Sequence, residues 1–213
     1  MVEPEVIGLC VGAFILGALP TGYIIGRLHG VDLRSQGSGN IGATNARRVL
    51  GKRAGILTLL IDAGKGMLAA SFDYLFPIVS AASASLAALY GVCAIAGHCY
   101  SPFLKFKGGK GVATSLGVFI VLAPAAVLAS FAVFVAAYAL TGFASVGSIS
   151  AAAALPAAMH LSFWGEYPTG TIAGAWLAAS LVLLNHRSNI RRLIRRQELA
   201  AKRSSAKPKE NRS

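Results

Sequence analysis

The chain has 213 residues, of which 55% are hydrophobic and only 13% carry a charge. An ordinary soluble domain has about 25% charged residues, and the mean hydropathy of this chain is +0.62. Four charge-free runs, at residues 6–26, 77–97, 111–165 and 167–186, each reach the roughly 20 apolar residues that cross a bilayer. The composition therefore excludes a soluble globule and predicts a protein with several membrane spans.

The apolar runs predict an all-α membrane bundle, because they are rich in Ala, Leu and Gly and lack the alternation of barrel strands. The first run follows Glu3 and Glu5 instead of a basic signal-peptide start, which favours a retained helix. Cys10, Cys93 and Cys99 lie in or beside apolar runs without a CxxC pair. We interpret them as packing residues and expect no disulfide framework.

The basic residues predict the topology. Nineteen of the 20 Lys and Arg residues lie in three segments, at 27–53, 105–110 and 187–212. Because such residues are retained on the cytoplasmic side, these segments should face the cytoplasm, with the N-terminus outside and the C-terminus inside. Seven membrane helices are predicted, with five as the alternative, since residues 111–185 hold either four short spans or two long ones.

We predict one integral-membrane domain over residues 1–199 and a basic, disordered cytoplasmic tail over residues 200–213, where apolar residues are scarce. The tail's charge suits anionic lipid headgroups. Nucleic acid is not an expected partner, because no aromatic residues are interleaved with the basic ones.

The first basic segment contains LRSQGSGNIGATNARRVLGKR, residues 33–53. Its glycines allow positive φ angles, its short polar side chains supply hydrogen-bonding groups, and Arg48 can form bidentate bonds to phosphate. The pattern predicts an anion site, although a flexible basic loop would have the same composition. The residues concerned are Gly37, Ser38, Gly39, Asn40, Gly42, Thr44, Asn45 and Arg48.

The second segment, residues 97–117, reads GHCYSPFLKFKGGKGVATSLG and places three glycines directly before an apolar helix. The amides of Gly108, Gly109 and Gly111 at that helix N-terminus could hold a phosphate, with Lys107 or Lys110 as the counter-charge. The nucleotide-binding pattern GxxxxGK[ST] is absent, so ATP is not an expected ligand.

The third segment, residues 185–199, reads NHRSNIRRLIRRQEL. Its arginines at four-residue spacing are typical of an interfacial helix, while Asn189 and Glu198 could tie this helix to the glycine loops. Elsewhere, Asp62 and Lys65 have the i, i+3 spacing of a local ion pair that should avoid lipid. His98 and His186 lack metal-site spacing, and we expect no metal or other cofactor.

Three motifs, GSGNIGATN, GHCYSPFLKFKGGKGVAT and HRSNIRRL with the downstream Glu198, occur in the order found in bacterial membrane glycerol-3-phosphate acyltransferases that use acyl phosphate. The chain resembles that family from its first helix to about residue 199. Arg196 is a departure, because it stands where the third motif often has Gly.

The resemblance implies transfer of a fatty acyl chain from acyl phosphate to the sn-1 hydroxyl of glycerol 3-phosphate, which gives lysophosphatidic acid and phosphate in the bacterial inner membrane. A soluble acyl-phosphate synthase is then an expected partner. The candidate catalytic residues are Ser38, Arg48, Lys107, His98 and Asn189. The candidate substrate-binding residues are Gly37, Gly39, Asn40, Thr44, Asn45, Lys65, Gly108, Gly109, Lys110, Gly111, His186, Arg187 and Glu198.

Elementary chemistry agrees with this implication. Acyl phosphate has a good leaving group, so an alcohol can attack it without a covalent enzyme intermediate, and positioning two anions is the main task. The proton acceptor is either His98 or a phosphate oxygen of the substrate, and we favour the latter. A small transporter for an organic phosphate is the alternative function, although residues 111–165 carry no charge for a polar path across the membrane.

Overall fold

A computed structural model describes residues 3–76, 83–161 and 166–200. Within these ranges the regular structure is helical throughout, which confirms the all-α prediction, and one short 3-10 turn lies at Pro102–Leu104. The helices are α1 (Pro4–Ala18), α2 (Thr21–Leu28), α3 (Ala43–Leu50), α4 (Lys52–Ala70), α5 (Phe72–Leu75), α6 (Ala84–Cys99), α7 (Val112–Leu122), α8 (Pro124–Thr141), α9 (Ala144–His160), α10 (Thr169–Asn185) and α11 (Arg187–Ile194).

Three helical segments of the described chain are long and apolar enough to cross a membrane: Pro4–Leu28, Ala84–Leu104 and Pro124–Thr141. Val112–Leu122 and Thr169–Asn185 are apolar but shorter. The described parts of residues 111–185 contain the four helices α7 to α10. The number of crossings and the orientation of the termini stay predictions, and residues 201–213 of the predicted tail lie outside the described residues.

The first membrane segment is broken between α1 and α2 at Leu19–Pro20, where proline supplies no amide donor. The carbonyls freed by the break are bound by side chains from α4 and from the segment that follows α6. Lys65 Nζ donates to the carbonyls of Gly17 and Leu19 at 3.0 and 2.9 Å, and Ser101 Oγ donates to that of Ala18 at 2.6 Å. A broken helix in a membrane needs such partners, since lipid offers none.

Small residues let the helices approach closely. A Cβ added at Gly97 of α6 would lie 2.0 Å from the carbonyl oxygen of Phe14 in α1, and one added at Gly117 of α7 would lie 1.9 Å from that of Ala63 in α4. Both positions therefore exclude any larger residue. Close backbone contact through small residues is typical of membrane helix packing, and here it holds α6 against α1 and α7 against α4.

Candidate active site

A cavity of about 520 Å³ lies between α3, α4, α7, α8, α9 and the segment that follows α11. Its polar half is lined by the predicted residues Ser38, Asn40, Thr44, Asn45, Arg48, His98, Lys110, Gly111, His186, Asn189 and Glu198. The exposed end of this half, which we call the mouth, also carries Arg47 and Lys52. The structure thus brings the three predicted polar segments together in one cavity.

Seven predicted site residues are not among those that line the cavity. They are Gly37, Gly39, Lys65, Lys107, Gly108, Gly109 and Arg187.

Asn45 of α3 organises the glycine-rich loop. Its side-chain nitrogen donates to the carbonyls of Leu33, Gln36 and Asn40 at 2.8 to 3.2 Å, and its oxygen accepts from the Ser38 amide at 2.8 Å. A buried amide with this many bonds has no group left for a ligand. Asn45 therefore positions the loop, which differs from the predicted binding role.

The glycines of this loop have the predicted positive φ angles, +61° at Gly37 and +71° at Gly39. A Cβ at Gly37 would lie 2.2 Å from the side-chain oxygen of Asn45, so this glycine makes room for the organising amide. The loop presents Ser38 to the cavity, and its hydroxyl makes no hydrogen bond within residues 3–76, 83–161 and 166–200.

The predicted amide cradle of the Gly-Gly-Lys-Gly segment is only partly available. The amide of Gly108 donates to the carbonyl of Cys99 at 3.0 Å, and that of Gly109 donates to the carbonyl of His98 at 2.9 Å. These two amides cannot also hold a phosphate. A Cβ at Gly109 would lie 2.0 Å from His98 Nε2, so this glycine makes room for the imidazole.

Lys107 and Lys110 differ in placement. Lys105 and Phe106, immediately before Lys107, have φ angles of +53° and +60°, in the left-handed region that non-glycine residues rarely adopt. Lys107 is exposed and does not line the cavity, whereas Lys110 lines it. Of the two lysines that the sequence left open, the geometry therefore favours Lys110 as the cation of the site.

A hydrogen-bonded chain holds Lys110 in place. Its ammonium donates to the side-chain oxygen of Asn189, and the Asn189 nitrogen donates to Glu198 Oε1 at 2.6 Å. Glu198 also accepts from Ser145 Oγ at 2.9 Å and from Arg192 Nε at 2.8 Å. Sequence reasoning missed both Ser145 and Arg192. Ser145 lies in none of the three motifs, and Arg192 lies in the third motif but was interpreted only as one basic residue of an interfacial helix.

Burial changes the proton affinity of these groups. It lowers the pKa of Lys110 to about 8, against the attraction of Glu198, with Arg192 and Arg48 adding to the decrease. Burial alone would raise the pKa of Glu198, but the bonds from Arg192, Asn189 and Ser145 hold it below its usual value. Near neutral pH the network therefore joins an ammonium to a carboxylate through Asn189.

His186, at the end of α10, is buried and neutral. Burial lowers its pKa to about 4, and the charge of Lys110 adds to the decrease. Its Nδ1 lies 2.8 Å from the carbonyl of Val182, which only accepts, so Nδ1 carries the proton and Nε2 is left as an acceptor. Such a ring can accept a bond from a hydroxyl group, but it is a weak base at neutral pH.

Asp62 and Lys65 form the predicted i, i+3 ion pair, with Lys65 Nζ 2.8 Å from Asp62 Oδ1. Lys65 also contacts the two carbonyls at the α1–α2 break, and its Nζ lies 3.4 Å from His98 Nδ1. Four acceptors thus surround an ammonium with three donors, so no donor is left for a ligand. Lys65 therefore has a structural role in place of the predicted substrate contact.

The contact between Lys65 Nζ and His98 Nδ1 determines the tautomer of His98. An ammonium only donates, so His98 Nδ1 accepts and the neutral ring carries its proton on Nε2. His98 lines the cavity, but this tautomer presents a donor on the Gly109 side of the ring.

The other half of the cavity is apolar, and sequence reasoning did not identify its residues. On α8, Phe131, Phe134 and Tyr138 form a ladder with ring centroids 6.2 and 6.1 Å apart. Val127 of the same helix adds to this wall, and three other helices, α4, α7 and α9, supply the rest. Their residues are Ile56, Leu59, Leu116, Phe119, Ala151, Ala152 and Leu155. Fold and site together define an integral membrane protein whose basic pocket opens into an apolar groove.

The comparisons with known proteins agree on one family. The sequence model described as glycerol-3-phosphate acyltransferase matches residues 7–196. The glycerol-3-phosphate acyltransferase of Trichlorobacter lovleyi is 45% identical over 187 residues, covering 86% of this chain and 91% of that protein. The one of Geobacter sulfurreducens is 44% identical over 185 residues, covering 85% and 90%.

Two solved structures have the same fold. The crystal structure of PlsY (YgiH), an integral membrane glycerol 3-phosphate acyltransferase, matches in its glycerol 3-phosphate form with a TM-score of 0.83 and 35% identity. The lysophosphatidic acid form matches with a TM-score of 0.81 and 34% identity, and each comparison covers 92% of this chain and 95% of the other. The chain belongs to the glycerol-3-phosphate acyltransferase family, as the three motifs indicated, and is a multi-pass membrane acyltransferase.

Proposed function

We propose that the protein transfers a fatty acyl group from acyl phosphate to the sn-1 hydroxyl of glycerol 3-phosphate and releases lysophosphatidic acid and phosphate. The observation that carries this proposal is the single cavity in which Ser38, Arg48 and Lys110 line one half and apolar side chains line the other. A polar acceptor and a lipid-like donor can meet there without leaving the protein.

Glycerol 3-phosphate fits the polar half. Arg48 Nη1 lies 3.2 Å from the Asn45 oxygen, and Lys110 is fixed through Asn189, so both cations are held before a ligand arrives. Preorganised cations lose less entropy on binding than free surface lysines. His186 Nε2 is available to accept a bond from a glycerol hydroxyl.

In the reaction, the sn-1 oxygen attacks the acyl carbonyl carbon, the carbon–oxygen bond to phosphate breaks, and phosphate leaves with the electron pair. The Ser38 hydroxyl donates to the developing oxyanion or to a phosphate oxygen. One such donor is typically worth about 100-fold or more in rate. No covalent enzyme intermediate is needed.

The hydroxyl proton goes to a phosphate oxygen of the substrate. His98 is a poor acceptor, because its Nδ1 faces Lys65 and its Nε2 carries the proton. His186 is a poor base because its pKa lies near 4. A phosphate monoester has a second pKa of about 6, so its dianion is a competent base at neutral pH.

We place the site on the cytoplasmic face of the bacterial inner membrane, with the N-terminus outside and seven crossings. The three basic segments converge on one cavity, so they share one side of the bilayer, and basic loops are retained in the cytoplasm. A soluble acyl-phosphate synthase would then supply the donor from the same compartment.

The test uses the purified full chain in detergent micelles, with glycerol 3-phosphate and one donor at a time: palmitoyl phosphate, palmitoyl coenzyme A or palmitoyl acyl carrier protein. We expect 1-acyl lysophosphatidic acid and phosphate with palmitoyl phosphate alone. The Ser38→Ala variant should lose most turnover. Ser71→Ala serves as the matched control, because among the described residues the Ser71 hydroxyl bonds only the carbonyl of Met67, one helical turn before it. Equal turnover with a thioester would refute the donor assignment.

A further inference from the structure

We propose that Arg47 and Lys52 form a second anion subsite at the mouth, which binds the phosphate of the acyl phosphate donor while Arg48 and Lys110 bind glycerol 3-phosphate. This inference rests on the proposed function and assigns its two phosphates to different parts of the cavity.

The first observation is that both side chains are uncommitted. Arg47 and Lys52 line the cavity and are exposed, and neither side chain forms a hydrogen bond or ion pair in the described part of the chain. By contrast, Arg48 contacts Asn45 and the carbonyl of Ala200, and Lys110 contacts Asn189. The cavity therefore has two held cations inside and two open ones at its mouth.

The second observation is that helix packing brings Arg47 against the part of α4 that carries Lys52. A Cβ added at Gly55 of α4 would lie 2.5 Å from the Cβ and 2.9 Å from the Cα of Arg47, so α3 lies directly on α4 at this point. Lys52 precedes Gly55 by three residues, which puts it on the same helix face. Arg48, the next residue after Arg47, is turned by about 100° around α3, so the two side chains leave the helix in different directions.

The third observation is the shape of the α4 wall. Lys52, Gly55, Ile56 and Leu59 all line the cavity at the i, i+3, i+4, i+7 spacing of one helix face. A cation thus stands at the head of an apolar stripe, which suits an amphiphile with an anionic head and a long chain. Acyl phosphate has this form, whereas glycerol 3-phosphate has no chain.

Charge balance supports two separate subsites. A phosphate group carries about −1.5 to −2 at neutral pH, so two of them bring roughly three to four negative charges into the cavity. Arg48 and Lys110 alone leave much of this charge uncompensated, while four cations balance it. Separate pairs also hold the two phosphates apart, which reduces their repulsion.

The experiment compares Arg47→Gln, Lys52→Gln and the double variant with Arg53→Gln, a matched control that is exposed in the same first turn of α4 but does not line the cavity. Michaelis constants are measured separately for palmitoyl phosphate and glycerol 3-phosphate. Binding of hexadecyl phosphate, which cannot donate an acyl group, is measured by calorimetry on the same full-length proteins. We expect each single variant to raise the Michaelis constant for palmitoyl phosphate about tenfold and to leave that for glycerol 3-phosphate within about twofold of the wild-type value. The affinity for hexadecyl phosphate should also fall about tenfold.

The outcomes separate this inference from the proposed function. If both single variants use palmitoyl phosphate with an unchanged Michaelis constant for it, the subsite is overturned and the proposed function stays intact. Equal increases in both Michaelis constants also overturn it, because the cations would then act on the whole cavity. If the wild-type protein does not use palmitoyl phosphate but the Arg47 and Lys52 variants bind hexadecyl phosphate more weakly than it does, the subsite is supported and the donor assignment is refuted.

Discussion

The Gly109→Ala substitution tests how the second motif is built. The added methyl would lie 2.0 Å from His98 Nε2 and under 3 Å from two further ring atoms. An ordinary contact needs about 3.5 Å, so the imidazole must withdraw by roughly 1.5 Å. The ring has little space, because Nδ1 on its other side lies 3.4 Å from Lys65 and 3.7 Å from Asp62.

We expect Gly109→Ala to lower the free energy of unfolding by about 1 to 3 kcal/mol, the usual cost of overpacking a filled core. His98→Ala removes the obstructing ring, so the alanine should cost little in that background. The double-mutant cycle should therefore show a coupling of similar size. Gly64→Ala is the matched control, since a Cβ at this helical position meets nothing within 4 Å.

The assay is unfolding of the purified protein by dodecyl sulfate in mixed micelles, together with the Michaelis constant for glycerol 3-phosphate. If the Gly109 amide held the substrate phosphate, alanine would raise that constant through local distortion without destabilising the protein. Unchanged stability and no coupling to His98 would refute our assignment of Gly109 as the residue that makes room for the imidazole.

Lys65→Met should lower the free energy of unfolding by about 3 to 5 kcal/mol, because it leaves the buried Asp62 carboxylate unpaired. Adding Asp62→Asn should recover part of this loss. An unaltered melting temperature in Lys65→Met would contradict the ion pair. Arg196 has a φ of +55°, so Arg196→Gly should stabilise the protein by up to about 1 kcal/mol; a lower melting temperature would count against the left-handed turn. Burial lowers the pKa of Lys110 to about 8, and a lysine is charged below its pKa. The value of kcat/KM for glycerol 3-phosphate should therefore fall as the pH rises through about 8. A flat profile up to about pH 9 would show that Lys110 does not bind the substrate.

Residue patterns predict much of the polar half of the cavity. Ser38, Arg48 and Lys110 stand in glycine-rich or basic segments whose chemistry indicates anion binding, and all three line the cavity. The i, i+3 spacing also predicts the ion pair between Asp62 and Lys65. Local spacing carries such information because neighbours on a helix are fixed by its geometry.

Contacts between distant segments could not be predicted in the same way. Lys65 caps carbonyls 46 and 48 residues away, and the Gly109 amide is taken by the carbonyl of His98. Neither contact has a local sequence signal. The first depends on how α4 packs against the α1–α2 break, and the second on how the segment after α6 folds back onto the end of that helix. The choice between Lys107 and Lys110 also could not be predicted, because Lys105 and Phe106 adopt left-handed backbone conformations at positions where the sequence has no glycine to indicate them.

The apolar half has no motif at all. Phe131 and Ala152 look like ordinary residues of lipid-facing helices, and only the packing of α8 against α9 places them on a cavity. Apolar periodicity identifies a helix face but does not tell a lipid contact from a groove contact.

The central claim is that one cavity holds the phosphates at its polar half and the acyl chain along its apolar half. The most direct test places a bulky side chain in the groove with Ala152→Trp and compares palmitoyl phosphate with butyryl phosphate as donors. Ala153→Trp, on the exposed side of the same helix and outside the cavity lining, is the control. We predict that Ala152→Trp loses most palmitoyl transfer and retains butyryl transfer, while the control retains both; undiminished palmitoyl transfer by a folded Ala152→Trp variant would contradict the account.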